Sequence, residues 1–284
     1  MLINGIGSSL MVTATSNSGD IYRQCLKIAF QFKLDVLFKK LRKGYVFLLY
    51  HSTPVEASWT YDVSKCCFEE HLAYLKSNCE ILSVPSIVDR LTMGAECDSF
   101  VCGITFDDGY KNNYDVAFPL LARYNIPATI FVSTAYVSGN FGGRHMLNWD
   151  ELKGMQSSGL ITVGSHTHTH RDLRLLTEEE VMNEILMSKR LIEEKLETEV
   201  SLFSYPYGSV NENIRRFLRS TGLRTFSSTP LINHSSQDSH EFGRIAVDRL
   251  SSKLPVFAFK VYGVTDRLSQ RFHHSALVTP APTS

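Results

Sequence analysis

Two adjacent carboxylates and a set of closely spaced histidines are the residues of this chain best suited to chemistry. Asp107 and Asp108 lie in Thr105-Phe106-Asp107-Asp108-Gly109-Tyr110, and about sixty residues on the chain reads His166-Thr167-His168-Thr169-His170. One carboxylate with two imidazoles is a donor set that holds Zn²⁺ or a similar divalent ion, with positions open to water and substrate. The second carboxylate is then free to act as a base. This is the equipment of a metal-dependent hydrolase. An extended histidine segment would put His166, His168 and His170 on one face by two-residue alternation. A turn after His166 would bring His166 and His170 together instead.

The elements around these residues alternate. Short apolar strands are expected over residues 45–50, 101–106, 128–133, 160–164, 200–205, 222–227 and 244–247. Helical spacing separates them: Phe68, Leu72 and Leu75 mark one helix, and Val181, Ile185, Ile192 and Leu196 another. The second opens on Thr177 and Glu180, a capping-box pair that satisfies two orphan backbone N–H groups. Strands alternating with helices imply βα units and a largely parallel sheet, and about seven such units suit a distorted (β/α)-barrel of the α/β class. The polar motifs follow strands: His51 after the first, Asp107 and Asp108 after the second, His166 after the fourth, and Tyr205-Pro206-Tyr207-Gly208 at the end of the fifth. Polar residues at the C-terminal ends of barrel strands converge on one mouth, where barrel active sites sit. Neither a Gly-x-Gly-x-x-Gly after a strand nor a Walker A loop is present, so nucleotide binding has no support.

Composition permits such an enzyme and excludes little else. The 284 residues can bury one large core, and the hydrophobic content of 43% is ordinary for a globular protein. Lys and Arg number 29, as do Asp and Glu, so no global basic field favours nucleic acid. The six cysteines form no C-x-x-C pair, and free thiols in a reducing compartment are the simpler reading. The first 19 residues lack a charged n-region, and no apolar run approaches the roughly 18 residues a bilayer span requires. A cytoplasmic location is therefore expected, with envelope association as the alternative. Residues 21–44 read as a basic amphipathic helix with Leu26, Phe30, Leu34, Leu37 and Leu41 on one stripe. It either packs on the domain or makes peripheral contact with an anionic membrane surface. The expected organisation is this N-terminal segment (1–44), a catalytic barrel (45–268) and a polar, disordered tail (269–284). Nothing in the sequence speaks to oligomeric state.

In its ordered motifs the chain resembles the polysaccharide deacetylase family, carbohydrate esterase family 4. The T-F-D-D-G motif is met by Thr105 to Gly109, H-[ST]-x-x-H by His166, Thr167 and His170, and an F-x-Y-P-Y-G variant by Phe203 to Gly208. Asn113, Pro119-Leu120-Leu121, Pro127-Ala128-Thr129 and Trp149 agree with the surrounding pattern. The resemblance implies that Asp108, His166 and His170 bind the metal, Zn²⁺ by default with Co²⁺, Ni²⁺ or Fe²⁺ as alternatives. It implies that Asp107 is the general base, that the backbone N–H of Tyr207 stabilises the oxyanion beside Tyr205 and Pro206, and that His168 is not a ligand.

Two departures stand out. Ser204 occupies the position where the family's third motif usually carries arginine, and the usual C-terminal L-x-x-H is missing. Leu48-Leu49-Tyr50-His51 satisfies that last pattern at the front of the domain, as in the exopolysaccharide deacetylase branch. A circularly permuted barrel would move the strand without moving its side chain, making His51 the catalytic acid. Gly243-Arg244-Ile245 resembles that branch's P-R-I segment, so Arg244 is the cation expected to orient Asp107 and keep it ionised. A solvated arginine and a histidine that merely ends a strand are the plainer alternatives. The implied substrate is an amino-sugar glycan of the N-acetylglucosamine type, from which N-acetyl groups are removed. The rival readings are a related amidohydrolase or O-acetyl esterase, and a carbohydrate-binding pseudoenzyme.

Overall fold

A strand that is apolar at every position must be covered on both faces, which helices flanking a parallel sheet provide. Strands β1 (Gly44–Tyr50) and β3 (Phe100–Phe106) are buried throughout and pair in parallel over their whole length. The computed structural model describes residues 23–31, 33–34, 43–95, 97–235 and 240–263. The remaining strands are β2 (Glu80–Ile81), β4 (Ala128–Val132), β5 (Asn140–Phe141), β6 (Arg144–His145), β7 (Ile161–Ser165), β8 (Leu202–Ser204), β9 (Arg224–Phe226), β10 (Glu241–Phe242) and β11 (Ile245–Ala246). Helices α1 (Lys65–Asn78), α2 (Val84–Thr92), α3 (Phe118–Tyr124), α4 (Trp149–Ser157), α5 (Glu178–Leu196), α6 (Glu212–Ser220) and α7 (Leu254–Val261) alternate with them.

The main sheet runs β10-β9-β8-β7-β4-β3-β1-β11, with β2 beside β3, and every pairing in it is parallel. Its two ends meet through the chain. β10 pairs with β9 while β11 pairs with β1, and only Gly243 and Arg244 separate them. Three peptide steps span at most about 11 Å. One extended run of six residues thus serves both edges in turn, and the sheet curls into the expected distorted barrel.

Alternation sorts the side chains. Val46, Leu48 and Tyr50 of β1 face the helices, whereas Tyr45 and Phe47 face the interior with Val101, Phe131, Leu202, Phe226 and Phe242. Phe47 meets Phe226 edge-on with ring centroids 5.1 Å apart, and Phe131 lies 5.3 Å from Phe226. Gly164 makes room for them: a Cβ there would stand 2.6 Å from the Phe131 ring and 3.0 Å from the Leu202 carbonyl.

All seven expected strands form, with 200–205 shortened to β8, 222–227 to β9 and 244–247 to β11. The pairs β2, β10 and the antiparallel hairpin β5–β6 were not expected. Only part of the expected N-terminal helix lies among the described residues. Residues 23–31 are helical, Leu26 is buried and Phe30 packs near Tyr74, but Leu34 is exposed and Gly44 already belongs to β1. Leu37, Leu41 and the tail from 269 lie outside the described residues. No helix among the described residues is long and apolar enough to cross a membrane.

Candidate active site and metal centre

The parity that packs the core also aims the polar residues. His51 continues the inward series of Tyr45, Phe47 and Leu49, one step beyond β1. Asp107 and His166 stand one step beyond β3 and β7, Ser204 ends β8, and Arg244 lies at the junction between β10 and β11. His51, Asp107, His166 and Arg244, with Asp108, His170, Tyr205 and Tyr207, line one cleft of about 650 Å³.

Asp108, His166 and His170 converge. Nε2 of His166 and Nε2 of His170 lie 3.4 Å and 3.2 Å from Oδ1 of Asp108. Donors in a tetrahedral site with bonds of roughly 2.0–2.1 Å stand about 3.3 Å apart, so both histidine–aspartate spacings suit ligands of one small divalent ion. All three ligand atoms lie within 4.8 Å of one another. Of the two imidazoles, His166 is oriented by a hydrogen bond. Its Nδ1–H donates to the Ser204 carbonyl at 2.8 Å, which directs Nε2 at the aspartate, where it can carry a proton or bind an ion. Burial opposes charge on both groups. Even so, hydrogen bonds from the two histidines hold the Asp108 carboxyl well below the usual carboxylate range, and Asp107 and Asp108 raise His166. The site is built to gather positive charge, and its donors fit the implied metal.

The backbone that shapes it is strained. Asp108 has φ 73°, Thr167 67° and His170 56°, in a region that costs a non-glycine residue about 1–2 kcal/mol. Strain of this kind gathers where function over-determines geometry. The turn after His166 swings His168 out of the cluster; its Nδ1 lies 2.9 Å from Oγ1 of Thr134.

Asp107, whose Oδ2 lies 3.8 Å from Nε2 of His166, differs from the trio in being gripped by Arg244. The guanidinium grips both carboxylate oxygens at 2.7 Å, and its other N–H groups reach Ser204 Oγ at 2.7 Å, Thr105 Oγ1 at 3.2 Å and the Ser227 carbonyl at 3.2 Å. All five donors are used, and Arg244 is only 1% exposed. Ser204 Oγ also donates to Asp107 at 3.1 Å. Burial pushes the Asp107 carboxyl up, but Arg244 and then His166 outweigh it and hold it below its ordinary value. A serine where arginine was expected therefore leaves no gap, because the cation arrives from the next edge of the barrel.

His51 lies in the cleft wall with its ring 4.9 Å from that of Tyr61, and its carbonyl accepts Nδ2–H of Asn113 at 2.9 Å. Burial lowers its pKa against the pull of Asp108 and Asp107. Tyr207 has φ 59° and is 67% exposed at the rim, and its backbone N–H has no acceptor among the described residues. Gly208, beside it, could not be replaced without moving Ser228, whose Oγ would lie 2.1 Å from an added Cβ. Tyr205 and Pro206 are buried beneath this turn.

The sequence reading missed the other wall. Arg144 of β6 pairs with the buried Asp62 at 3.0 Å and covers Trp59 with its guanidinium 4.7 Å from the ring centroid. Trp59, Tyr61, Tyr110 and Phe141 thereby form an aromatic lining. No periodicity marks them, because they sit in loops and a two-residue strand. The Gly142-Gly143 turn was the one visible hint.

Residues 96–226 match the family model described as polysaccharide deacetylase. The chain is 32% identical over 178 residues to YxkH of Bacillus subtilis (strain 168), whose name carries the same description. That match covers 62% of this chain and 61% of the relative, so the chain spans about three fifths of that relative's length. A poly-beta-1,6-N-acetyl-D-glucosamine N-deacetylase of Staphylococcus aureus (strain MSSA476) is 27% identical over 222 residues, 74% of this chain and 76% of its own. Among solved structures, IcaB from Ammonifex degensii superposes with a TM-score of 0.70 at 27% identity, over 78% of this chain and 98% of that one.

Proposed function

We propose that this chain, which carries a polysaccharide deacetylase domain of the exopolysaccharide type, hydrolyses the N-acetyl groups of an N-acetylglucosamine polymer. The observation that carries the reading is the division of labour between neighbouring aspartates. Asp108 closes a three-donor cluster with His166 and His170, while Asp107, 3.8 Å from His166 Nε2, is gripped by Arg244 instead.

A divalent ion held by Asp108, His166 and His170 would supply Lewis acidity toward the acetyl carbonyl and make a nearby water more acidic. The chain's own residues supply the rest. Asp107, kept ionised by Arg244, takes the proton of the attacking water. The free N–H of Tyr207 donates to the acetyl oxygen as it gains charge, an interaction that strengthens only toward the transition state. His51 delivers a proton to the leaving sugar nitrogen, without which the tetrahedral carbon would reform the amide. The aromatic walls carry sugar rings, whose C–H faces pack on Trp59, Tyr61 and Phe141. A polymer of this kind implies work at the cell envelope.

The test is acetate release by the purified full chain from poly-β-1,6-N-acetylglucosamine and from chitooligosaccharides. Activity should vanish with a chelator and return on adding Zn²⁺, Co²⁺ or Ni²⁺. Acetate released only from O-acetylated substrates would replace the reading with an esterase. Glycan binding by metal-loaded protein without any acetate release would replace it with a pseudoenzyme.

A further inference from the structure

A buried carboxylate outside the reaction just described takes hydrogen bonds from the metal-site loop. Glu184, in the second turn of α5, is 6% exposed, and no cation stands within ion-pair distance of it among the described residues. Its Oε2 accepts the backbone N–H of His168 at 2.9 Å and that of Thr169 at 2.7 Å. Its Oε1 accepts the Thr169 hydroxyl, and its own carbonyl shares the His168 N–H at 3.0 Å. Every donor comes from the stretch between His166 and His170. A carboxylate deprived of water and of a cation is stable only where such donors converge on it.

We propose that Glu184 is the positioning residue that sets this loop, and so the spacing of its two imidazoles, before an ion arrives. The inference rests on the metal reading above. Within the loop the His170 N–H donates to Thr167 Oγ1 at 3.0 Å, which leaves the amides of His168 and Thr169 to be held from outside. Both Thr167 and His170 sit at positive φ, from which an unanchored chain would relax. Other contacts restrain different atoms. Ser133 Oγ donates to the His166 carbonyl at 2.8 Å, Ala135 N–H to the His168 carbonyl at 2.9 Å, and Tyr136 OH to the Thr169 carbonyl at 3.2 Å. Those contacts fix carbonyls, and the inner amides of the turn fall to Glu184. One turn further along α5, Ser188 Oγ meets Ser165 Oγ at 2.9 Å, which registers the helix against the last residue of β7 just before His166. The same helix face thus holds the strand end and the loop that leaves it.

The distinguishing measurement is Zn²⁺ affinity of metal-free full-length protein, read by competition with a chelating dye, with Tm recorded for each variant. Glu184→Ala should weaken binding by about 10–100-fold, the usual effect of losing a group that orients ligands. Glu184→Gln, which keeps an acceptor oxygen at the same reach, should bind close to wild type. Glu184→Asp keeps the charge but loses a methylene of reach, and should fall below Gln; this pair decides the matter if the alanine variant does not fold. Glu193→Ala is the control, since Glu193 holds Lys189 and the Val200 N–H on the same helix away from the cleft. It should lower Tm and leave affinity unchanged. Equal affinity in all Glu184 variants, or an affinity loss in Glu193→Ala matching its loss of Tm, would overturn the proposal. A wild-type protein that takes up no Zn²⁺ would instead overturn the metal reading itself.

Discussion

The residues that carry the chemistry differ in how far the sequence alone could assign them. Asp107 and Asp108 are neighbours with identical side chains, and only their partners separate their roles. We expect Asp107→Asn to retain the ion while lowering kcat by about 10²–10⁴, the usual worth of general acid–base catalysis and roughly 3–5 kcal/mol of barrier. Loss of the ion in that variant would show that the labour is not divided as proposed. His51→Ala should keep fold and ion but lose about 10²-fold or more on an N-acetyl sugar. It should lose far less on an activated acetate ester, whose leaving group needs no proton, and an equal loss on both would remove His51 as the acid. The histidine spacing left open whether three imidazoles or two meet, and backbone conformation at Thr167 and His170 closed that question in favour of two. In the sequence, only the family resemblance of Gly243-Arg244-Ile245 links Arg244 to Asp107; by residue pattern alone it is an arginine beginning an apolar strand. Its partner lies 137 residues away, a separation that no local pattern reports.

At the scale of elements, strands that are apolar throughout announce themselves, and the four longest of the barrel were found to within a residue or so. β2, β5, β6 and β10 have two residues each, too few for any period to show. Packing between strands gives a direct test. Gly164→Ala drives a methyl into the Phe131 ring and should destabilise the fold by about 1–3 kcal/mol, visible as a lower Tm. Phe131→Leu in the same chain should recover part of the loss, and strict additivity of the two changes would mean the contact is not the cause. A second test concerns His71 of α1, which stacks on Phe257 of α7 with ring centroids 3.6 Å apart. Its Nε2–H donates to the Ser252 carbonyl at 2.6 Å and its Nδ1 accepts from Tyr50 OH at 3.1 Å, so the neutral ring is fully used. Burial lowers its pKa to about 3. The unfolded chain takes up this proton near pH 6.5 and the native chain does not until about pH 3, so stability present above pH 6.5 drains away as pH falls between the two values. Between pH 7 and pH 5 wild type should lose about 2 kcal/mol more than His71→Gln in denaturant titrations. Equal losses would show that this histidine is not what couples folding to acid.

For the molecule as a whole, alternating strands and helices were enough to foresee a parallel barrel, because parallel neighbours need crossovers and the helices are those crossovers. The seam was not foreseeable, since six residues pairing with two different strands look like one short strand in the sequence. Its consequence concerns time rather than geometry. β1 leaves the ribosome about two hundred residues ahead of its register partner across the seam, Leu48 waiting for Ile245. Until then one edge of β1 offers unpaired N–H and C=O groups, and Asp107 lacks its guanidinium partner. Closure over so long a separation is expected to be slow, and the same event that removes the sticky edge also installs the arginine. An incomplete chain would therefore be hazardous and inert together, and the finished one becomes safe and competent in a single late step.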